Sequence, residues 1–320
     1  DIYLGQVKKL LPGLNAAFID VGSKKDGFLH YLDLGLYYKA LEKFTKICMS
    51  GGGDSMDFAK LKEPKLEKSG KIVETLKQGQ VILVQVSKEA ISTKGPRLCT
   101  EISFAGRYLV LVPFSEKVSV SQKIKSAEER NRLRKLIKSI KPDNFGIIIR
   151  TIAEGKSVAE LDADLKDLLS KWESIKKKLP KALPPTKLVS ELDKSSVILR
   201  DMLTEEFNNV YVNDADLYEE LKGYISSICP EKEDILHLYK MQTPIFEQFG
   251  VASQIRNSFG KVVTIRSGIY LIIEQTEAMH VIDVNSGHRS KSSQDQEENA
   301  LIVNCEAAVE IARQMRLRDL

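Results

Sequence analysis

Short runs of β-forming residues alternate with turn residues between positions 3 and 113, which restricts this part of the chain to a small all-β fold. About five strands in this arrangement favour a barrel, and an OB-type barrel is the candidate because its exposed strand face carries aromatic side chains that stack on bases. A polar, lysine-rich stretch at about 35–78 follows the third run, and we interpret it as an inserted loop, flexible or partly helical. The predicted strands are Tyr3–Leu10, Ala16–Val21, Gly27–Tyr31, Gln80–Lys88, Cys99–Ser103 and Tyr108–Pro113.

Helical periodicity replaces the β pattern from Ser126 onwards. Ser126-x-x-Glu129 and Ser157-x-x-Glu160 each have the spacing of a capping box at a helix N-terminus. The helix after the second box carries Trp172 among its apolar positions, so we expect Trp172 to be a core residue. Pro184-Pro185 then marks a boundary.

The remaining sequence contains both patterns, so we predict an α+β fold with several subdomains. The elements predicted there are a helix near Ser195–Phe207, strands at Val210–Asn213, Lys261–Arg266, Ile269–Gln275 and Met279–Val284, and a long helix over roughly Glu297–Arg318.

Composition excludes several classes of protein. The longest apolar runs, such as Val81–Val86, are far shorter than the roughly 18 residues of a membrane helix, so we expect no membrane segment. The four cysteines have neither pairing nor metal-ligand spacing, which indicates a reducing compartment and a cytoplasmic protein. No Gly-rich phosphate loop supports a nucleotide-binding metabolic enzyme. Asp1–Gly5 lack an initiator Met and a secretory signal, so we expect the chain to start inside a longer one.

Positive charge is concentrated in one segment, although the net charge is only +4. Between Arg107 and Lys141 there are ten Lys or Arg against three Glu. Such a segment suits a polyanion, because each neutralised phosphate releases a condensed counterion. The alternative is an ordinary solvated helix face.

The strongest candidate for chemistry is Val281–Gly287, an apolar strand that presents Asp283 and Asn285 just before a turn. Because these two residues are two positions apart, their side chains point to the same side of the strand. Carboxylate and amide oxygens suit Mg²⁺, which is often held by one or two carboxylates plus waters. The alternative is a plain turn, since Asp, Asn, Ser and Gly are also turn residues.

The sequence around this strand is similar to the catalytic region of the ribonuclease E/G family. The similarity lies in Glu274–Ala278, Val281–Gly287 and Asn304–Leu320, and it extends over essentially the whole chain. It implies a single-strand-specific endoribonuclease in which Asp283 binds the catalytic Mg²⁺ and Asn285 supports it. Members of the family leave 5′-monophosphate and 3′-hydroxyl ends and prefer A/U-rich RNA.

The same resemblance gives roles to residues of the barrel. Tyr3–Val7, Ala16–Gly22 and Gly27–Leu29 are similar to the family's S-one type OB barrel, in which phenylalanines at the positions of Phe18 and Phe28 contact RNA. The alternative is that both rings belong to the barrel core. Lys94 and Arg97 lie in a segment similar to the family's Lys-Gly loop, where they would bind backbone phosphates, against the alternative of a solvated loop.

The segment from Ile147 to Thr151, followed by Gly155-Lys156, resembles the family's pocket for a 5′-monophosphate. An Arg150 guanidinium grips a phosphate with two donors, and the Thr151 hydroxyl and nearby amides add more. Arg130 is a weaker candidate for the same pocket. The alternative is that Arg150 forms a surface ion pair. The chain has Val118-Ser119 where the better-known enterobacterial branch has Gly-Gly.

By this resemblance the chain divides into four parts: an S-one type OB barrel at 1–112, a 5′-monophosphate sensor at 113–190, an incomplete RNase H-like subdomain at 191–258 and the start of a DNase I-like catalytic subdomain at 259–320. The resemblance also implies a second metal-binding Asp and a zinc-binding motif joining the protomers of a homo-oligomer, both beyond Leu320. The rival hypothesis is a non-catalytic RNA-binding protein that uses only the barrel and the sensor. The sequence does not separate the E branch from the G branch.

Overall fold

The computed structural model describes residues 1–190, 194–203, 207–265, 268–287 and 296–320. The chain forms two compact units. The first contains Asp1–Asn208 and Gly223–Glu233, and the second contains Asn209–Lys222 and Asp234–Leu320. The fold is mixed α+β, as predicted.

The secondary structure follows the order of the sequence. The strands are β1 (Ile2–Leu11), β2 (Ala16–Asp20), β3 (Gly27–His30), β4 (Val81–Lys88), β5 (Arg97–Cys99), β6 (Phe104–Ala105), β7 (Leu109–Pro113), β8 (Val118–Val120), β9 (Phe145–Ile149), β10 (Thr186–Val189), β11 (Val210–Val212), β12 (Leu236–Leu238), β13 (Val262–Thr264), β14 (Tyr270–Gln275) and β15 (His280–Asn285). The helices are α1 (Tyr38–Met49), α2 (Ile72–Thr75), α3 (Ala127–Ile140), α4 (Val158–Lys178), α5 (Lys194–Met202), α6 (Ala215–Ile228), α7 (Ile245–Gln248), α8 (Val251–Ser258) and α9 (Gln296–Arg318).

A closed five-strand barrel forms the start of the first unit, which confirms the predicted barrel. Its strands pair in the order β1-β2-β3-β5-β4, and β4 pairs back to β1. All of these pairs are antiparallel except β3–β5, which is parallel. This strand order is consistent with an OB fold. The interior is apolar and includes Val7, Ile19, Leu29, Ile82 and Leu98.

The fifth barrel strand lies at Arg97–Cys99 and not at Cys99–Ser103, so the predicted strand begins two residues and ends four residues too late. The chain leaves the ladder after Cys99 because its next polar groups find other partners. The amide of Thr100 donates to Asp33 O at 2.9 Å, and the amide of Ser103 donates to the Gln85 side chain at 2.8 Å.

The stretch at 35–78 is partly helical, because it contains α1 and α2. Helix α1 has a buried face with Phe44, whose ring stacks on Trp172 of α4 at a centroid distance of 4.5 Å and an angle of 24°. Trp172 is only 1% exposed, which confirms it as a core residue. The inserted segment is therefore part of the core of the first unit.

A second sheet in this unit has the order β6-β7-β9-β8. Helix α4 begins with the full capping box predicted at Ser157 and Glu160. At α3 only half of the predicted box forms: the Ser126 hydroxyl accepts from the Glu129 amide. The Glu129 carboxylate instead receives Arg132 at 2.6 Å and the amide of Gly155 at 2.9 Å.

The second unit contains a parallel pair, β11–β12, and an antiparallel sheet in the order β13-β14-β15. Helix α9 packs on one face of this sheet, where Ala307 meets Val263, Leu271 and Ile273. These elements match the three strands and the long helix predicted from the sequence, although Arg266 lies outside the described residues. Among the described residues, no helix is both long and apolar enough to cross a membrane.

Candidate RNA-binding and metal-binding residues

Phe18 and Phe28 lie directly opposite each other on β2 and β3. Their neighbours Ala17, Ile19 and Leu29 are fully buried inside the barrel, whereas both phenylalanines are only half-buried. Because side chains alternate along a strand, the two rings lie on the outer face. They contact each other edge to face, with centroids 6.1 Å apart and planes at 69°. The arrangement places a small aromatic surface on the outside of the barrel.

Basic residues border this aromatic pair. Lys9 is the register partner of Phe18 across β1–β2, and Arg97 is the register partner of Phe28 across β3–β5. The Arg97 guanidinium is held by Asp33, with Nε 3.0 Å from Oδ2 and Nη2 3.2 Å from Oδ1. This ion pair fixes the direction of Arg97, and hydrogen bonding to Asp33 raises the pKa of Arg97.

Lys94 lies in the exposed loop between β4 and β5, where its backbone forms a two-way bridge with Ile91. The next residue, Gly95, approaches the backbone of Asp26 so closely that a Cβ there would lie 2.1 Å from the Asp26 carbonyl oxygen. Only glycine fits at this position. The loop is thereby held against the end of the barrel, and Lys94 projects from it.

Arg150 follows the last residue of β9, and its backbone and side chain are both anchored. Its amide donates to Tyr108 O at 2.8 Å. Its Nη1 lies 2.8 Å from Gly106 O and 2.8 Å from Oδ1 of Asp201. Arg150 therefore forms an ion pair, which was the alternative interpretation of this residue from the sequence, and its partner is Asp201. Among the described residues, Gly106 and Asp201 contact the guanidinium at Nη1 and not at Nε or Nη2.

Thr151 supplies a hydroxyl beside Arg150, and this hydroxyl lies 2.9 Å from that of Ser121. Ser121 comes directly after β8, whose parallel pairing with β9 brings it there: its amide donates to Ile149 O at 2.9 Å. The amide of Gly155 is used by Glu129, as described above, and that of Lys156 donates to Ala153 O at 3.1 Å. The polar donors near Arg150 are therefore hydroxyls more than loop amides.

Arg130 has a structural contact of its own. Its Nη1 donates to the carbonyl oxygens of Ile124 at 2.6 Å and Lys125 at 2.9 Å. These bonds tie the segment after β8 to the first turn of α3. These contacts hold Arg130 at the segment that follows Ser121. Among the described residues, Arg130 and Arg150 do not contact each other.

Asp283 and Asn285 lie on the same side of β15, as predicted from their spacing. The Asn285 Nδ2 donates to Oδ2 of Asp283 at 2.9 Å. Ile282 and Val284 point the other way, toward the cluster that packs with α9. Asp283 is exposed, so its carboxylate faces solvent.

The turn after this pair depends on glycine. Gly287 has a φ of +59°, and a Cβ there would lie 2.1 Å from Gly268 O. Such a position accepts only glycine. The residues of the motif are therefore divided: Asp283 and Asn285 belong to the strand, and Gly287 makes the turn.

The Asp283–Asn285 pair suits Mg²⁺ by its chemistry. Both side chains offer oxygen atoms, which Mg²⁺ prefers, and an exposed carboxylate allows the ion to keep several waters. The bond from Asn285 restricts the carboxylate to one orientation. Among the described residues, no group of three or more His, Cys, Asp or Glu is placed to hold a metal. A Mg²⁺ ion at this point would therefore rest on Asp283, with Asn285 in support.

Two residues of these sites were missed by the sequence reasoning, namely Ser121 and Asp201. Ser121 carried little signal, because the strand before it, β8, was not predicted from the sequence and its parallel pairing with β9 is seen only in the structure. Asp201 carried none, because the residue that it contacts, Arg150, is 51 positions away in the sequence.

Comparison with known proteins adds to this geometry. Residues 103–320 match the profile of the Ribonuclease E/G family. The whole chain is 38% identical to Ribonuclease E of Nostoc sp. and covers 43% of that protein. It is 36% identical to Ribonuclease G of Escherichia coli, of which it covers 62%, and 35% identical to Ribonuclease E of Haemophilus influenzae, of which it covers 32%. The chain therefore spans less than two thirds of the length of these relatives. By this similarity, the chain belongs to the ribonuclease E/G family.

Proposed function

We propose that the protein is an endoribonuclease that binds single-stranded RNA and hydrolyses its phosphodiester bonds with the help of Mg²⁺, in RNA processing and decay. The observation that carries this proposal is the similarity of the entire chain to proteins named Ribonuclease E and Ribonuclease G. The paired Asp283 and Asn285 support it, because they offer oxygen ligands on a solvent-facing strand.

Asp283 would hold Mg²⁺ through its carboxylate, and Asn285 would keep that carboxylate in place. When bound, Mg²⁺ activates a water and neutralises the charge that develops on the phosphoryl oxygens. The chain itself contributes the orientation. The Asn285 amide restricts Asp283, and the turn at Gly287 ends the strand directly after the pair.

The outer face of the barrel would bind the RNA strand. Phe18 and Phe28 offer aromatic faces to bases, and base stacking on such rings is tolerant of sequence. Lys94 and Arg97 would contact the phosphates next to those bases. Arg97 is partly neutralised by Asp33, so Lys94 is the stronger of the two cations.

The 5′ end of the RNA would bind at Arg150 and Thr151. The Arg150 guanidinium provides two parallel donors at Nε and Nη2, which match the oxygens of a terminal phosphate. The hydroxyls of Thr151 and Ser121 bond to each other, so this pair supplies one further donor. Arg130 remains a weaker proposal for this pocket. The proposal also includes a preference for A/U-rich strands and a cytoplasmic location. For the full-length protein it includes homo-oligomers and a Zn²⁺ site outside this chain.

Asp283→Asn tests the catalytic proposal in the full-length protein. This change keeps the size of the side chain but removes its charge, so Mg²⁺-dependent cleavage of A/U-rich single-stranded RNA should fall by at least about a hundredfold. RNA binding measured without Mg²⁺ should not change. Glu274→Gln is the matched control, because Glu274 is an exposed carboxylate on the neighbouring strand β14. Full activity in the Asp283→Asn variant would refute the proposed metal site.

The same experiment distinguishes the proposed endoribonuclease from the rival hypothesis of a non-catalytic RNA-binding protein. A protein that binds RNA without cutting it would show no Mg²⁺-dependent product with either the wild type or Glu274→Gln. Retained binding with no cleavage by the wild-type protein would favour that rival.

A further inference from the structure

Asp201 lies near the C-terminal end of α5, and its carboxylate receives two arginines. Arg150 Nη1 and Arg200 Nε lie 2.8 Å and 2.9 Å from the same oxygen, Oδ1. Arg200 Nη2 donates to the other oxygen at 3.4 Å. Burial acts to raise the pKa of Asp201, but the hydrogen bonds from Arg200 and Arg150 outweigh it and lower that pKa. The carboxylate is therefore ionised at neutral pH.

Both arginines also reach the turn between β6 and β7. Arg150 Nη1 donates to Gly106 O at 2.8 Å, and Arg200 Nη1 donates to Ala105 O at 3.2 Å. The two side chains thus share one carboxylate and reach two consecutive carbonyls. Arg200 is only 7% exposed, so this arrangement is built into the interior.

The turn itself is fixed by a second carboxylate, Asp164 of α4. Asp164 accepts the amides of Arg107, Tyr108 and Leu109 at 3.0, 2.9 and 2.8 Å. At Gly106 a Cβ would lie 2.5 Å from Oδ1 of Asp164, so the close approach depends on glycine. The carbonyl that receives Arg150 is therefore held in a rigid place.

Gly106 O and the Asp201 carboxylate both contact the same nitrogen of Arg150, Nη1. A guanidinium is planar and rigid, so fixing Nη1 against Gly106 O and Asp201 fixes the plane of the whole group. The donors Nε and Nη2 are then presented in a set direction to a ligand. A phosphate that binds through two parallel hydrogen bonds gains most from donors that are already oriented.

We propose that Asp201 is a positioning residue for recognition of an RNA 5′-monophosphate, acting through Arg150. The inference rests on the proposed role of Arg150 in binding the 5′ end. Asp201 orients the guanidinium and does not compete with the phosphate, because its charge is matched by Arg200 and it engages Arg150 only at Nη1. Arg200 therefore shares the Asp201 carboxylate with Arg150.

The test measures binding of a short, noncleavable oligoribonucleotide with either a 5′-monophosphate or a 5′-hydroxyl to the full-length protein, by fluorescence anisotropy. Asp201→Asn should weaken binding of the monophosphate form by about three- to tenfold and leave the hydroxyl form unchanged, since a partly exposed ion pair is worth little more than this. Asp201→Glu should restore part of the difference. Asp162→Asn is the matched control, because Asp162 is also ion-paired and its side chain has the same 34% exposure as that of Asp201.

A double-mutant cycle with Arg150→Ala separates this inference from the proposed function. If Arg150→Ala does not reduce the preference for the monophosphate, the proposed 5′-end site fails. If Arg150→Ala reduces this preference but Asp201→Asn does not, the positioning role is refuted. It is also refuted if Asp201→Asn reduces the preference by the same factor in the Arg150→Ala variant as in the wild type. A stronger preference in Asp201→Asn would show that Asp201 competes with the phosphate, which also overturns the inference. Thermal melting identifies variants that do not fold, and Asp201→Glu then decides the matter.

Discussion

Replacing both Phe18 and Phe28 by alanine should weaken the binding of single-stranded RNA, because each ring offers a stacking face on the outside of the barrel. The loss of one stacked base costs about 1–3 kcal/mol. The two ring planes stand at 69°, so two parallel bases of one strand cannot each stack on both rings. We therefore expect one base per ring, a loss of about 1–3 kcal/mol for each single variant and about twice that for the double variant.

Anisotropy of a labelled A/U-rich single strand over a series of salt concentrations measures this loss. The slope of log affinity against log salt should not change, because the phenylalanines carry no charge. Val73→Ala is the matched control, since Val73 is an exposed apolar residue, 43% accessible, on α2 of the same unit. Thermal melting checks the fold, because the edge-to-face ring pair itself contributes about 0.5–1.5 kcal/mol of stability.

Two results would contradict this reasoning. A folded double variant with wild-type affinity would mean that the rings serve only the packing of the barrel. A reduced affinity accompanied by a smaller salt slope would mean that the substitutions had displaced basic residues, and that stacking was not the cause.

Three further outcomes follow from named contacts. Trp172→Ala should lower the free energy of unfolding by about 3–5 kcal/mol in urea denaturation, because it leaves a cavity among aromatic rings, and a loss below about 1 kcal/mol would argue against this core. The pKa of Glu129 is lowered to about 2, first by Arg132 and then by the Gly155 amide, so its stabilising effect is complete above the ordinary value of 4.5 and is lost as the pH falls toward about 2. The stability difference between wild type and Glu129→Gln should therefore shrink between these pH values, and a constant difference would contradict the assignment. Lys94→Gln should reduce the salt slope of single-strand binding by about 0.7, and an unchanged slope would remove Lys94 from the phosphate contacts.

Alternation along strands predicted much of the barrel, whereas the exposure of Phe18 and Phe28 was implied only by the family resemblance. The buried Ala17, Ile19 and Leu29 have the period of two that the sequence shows, and in the structure this period leaves Phe18 and Phe28 outside. The same rule placed Asp283 and Asn285 together. Local periodicity is sufficient for such features because the neighbours along the chain decide them.

Other features depend on contacts between distant parts of the sequence, which a local pattern does not contain. Strand β10 was missed because Thr186–Val189 looks like the end of a linker, and only its pairing with β1 makes it a strand. The half-formed capping box at Ser126 also depends on a contact with a distant part of the sequence. Glu129 has the correct spacing for the box, but Gly155 and Arg132 offer its carboxylate better partners. Competition of this kind is decided by the tertiary structure.

The basic segment shows why a count of charges overestimates the surface that a polyanion meets. Five of the ten cations between Arg107 and Lys141 have partners within the protein: Arg107 donates to Leu203 O, Arg130 to two carbonyls, Arg132 to Glu129, Arg134 to Asn131 and Lys141 to Glu116. A cation that already has an acceptor gains less from a phosphate, since one contact must be exchanged for another. The salt slope that this segment contributes to RNA binding should therefore correspond to fewer phosphates than its count of Lys and Arg suggests. Sequence charge indicates the class of partner, and the internal contacts of each side chain determine how many charges meet it.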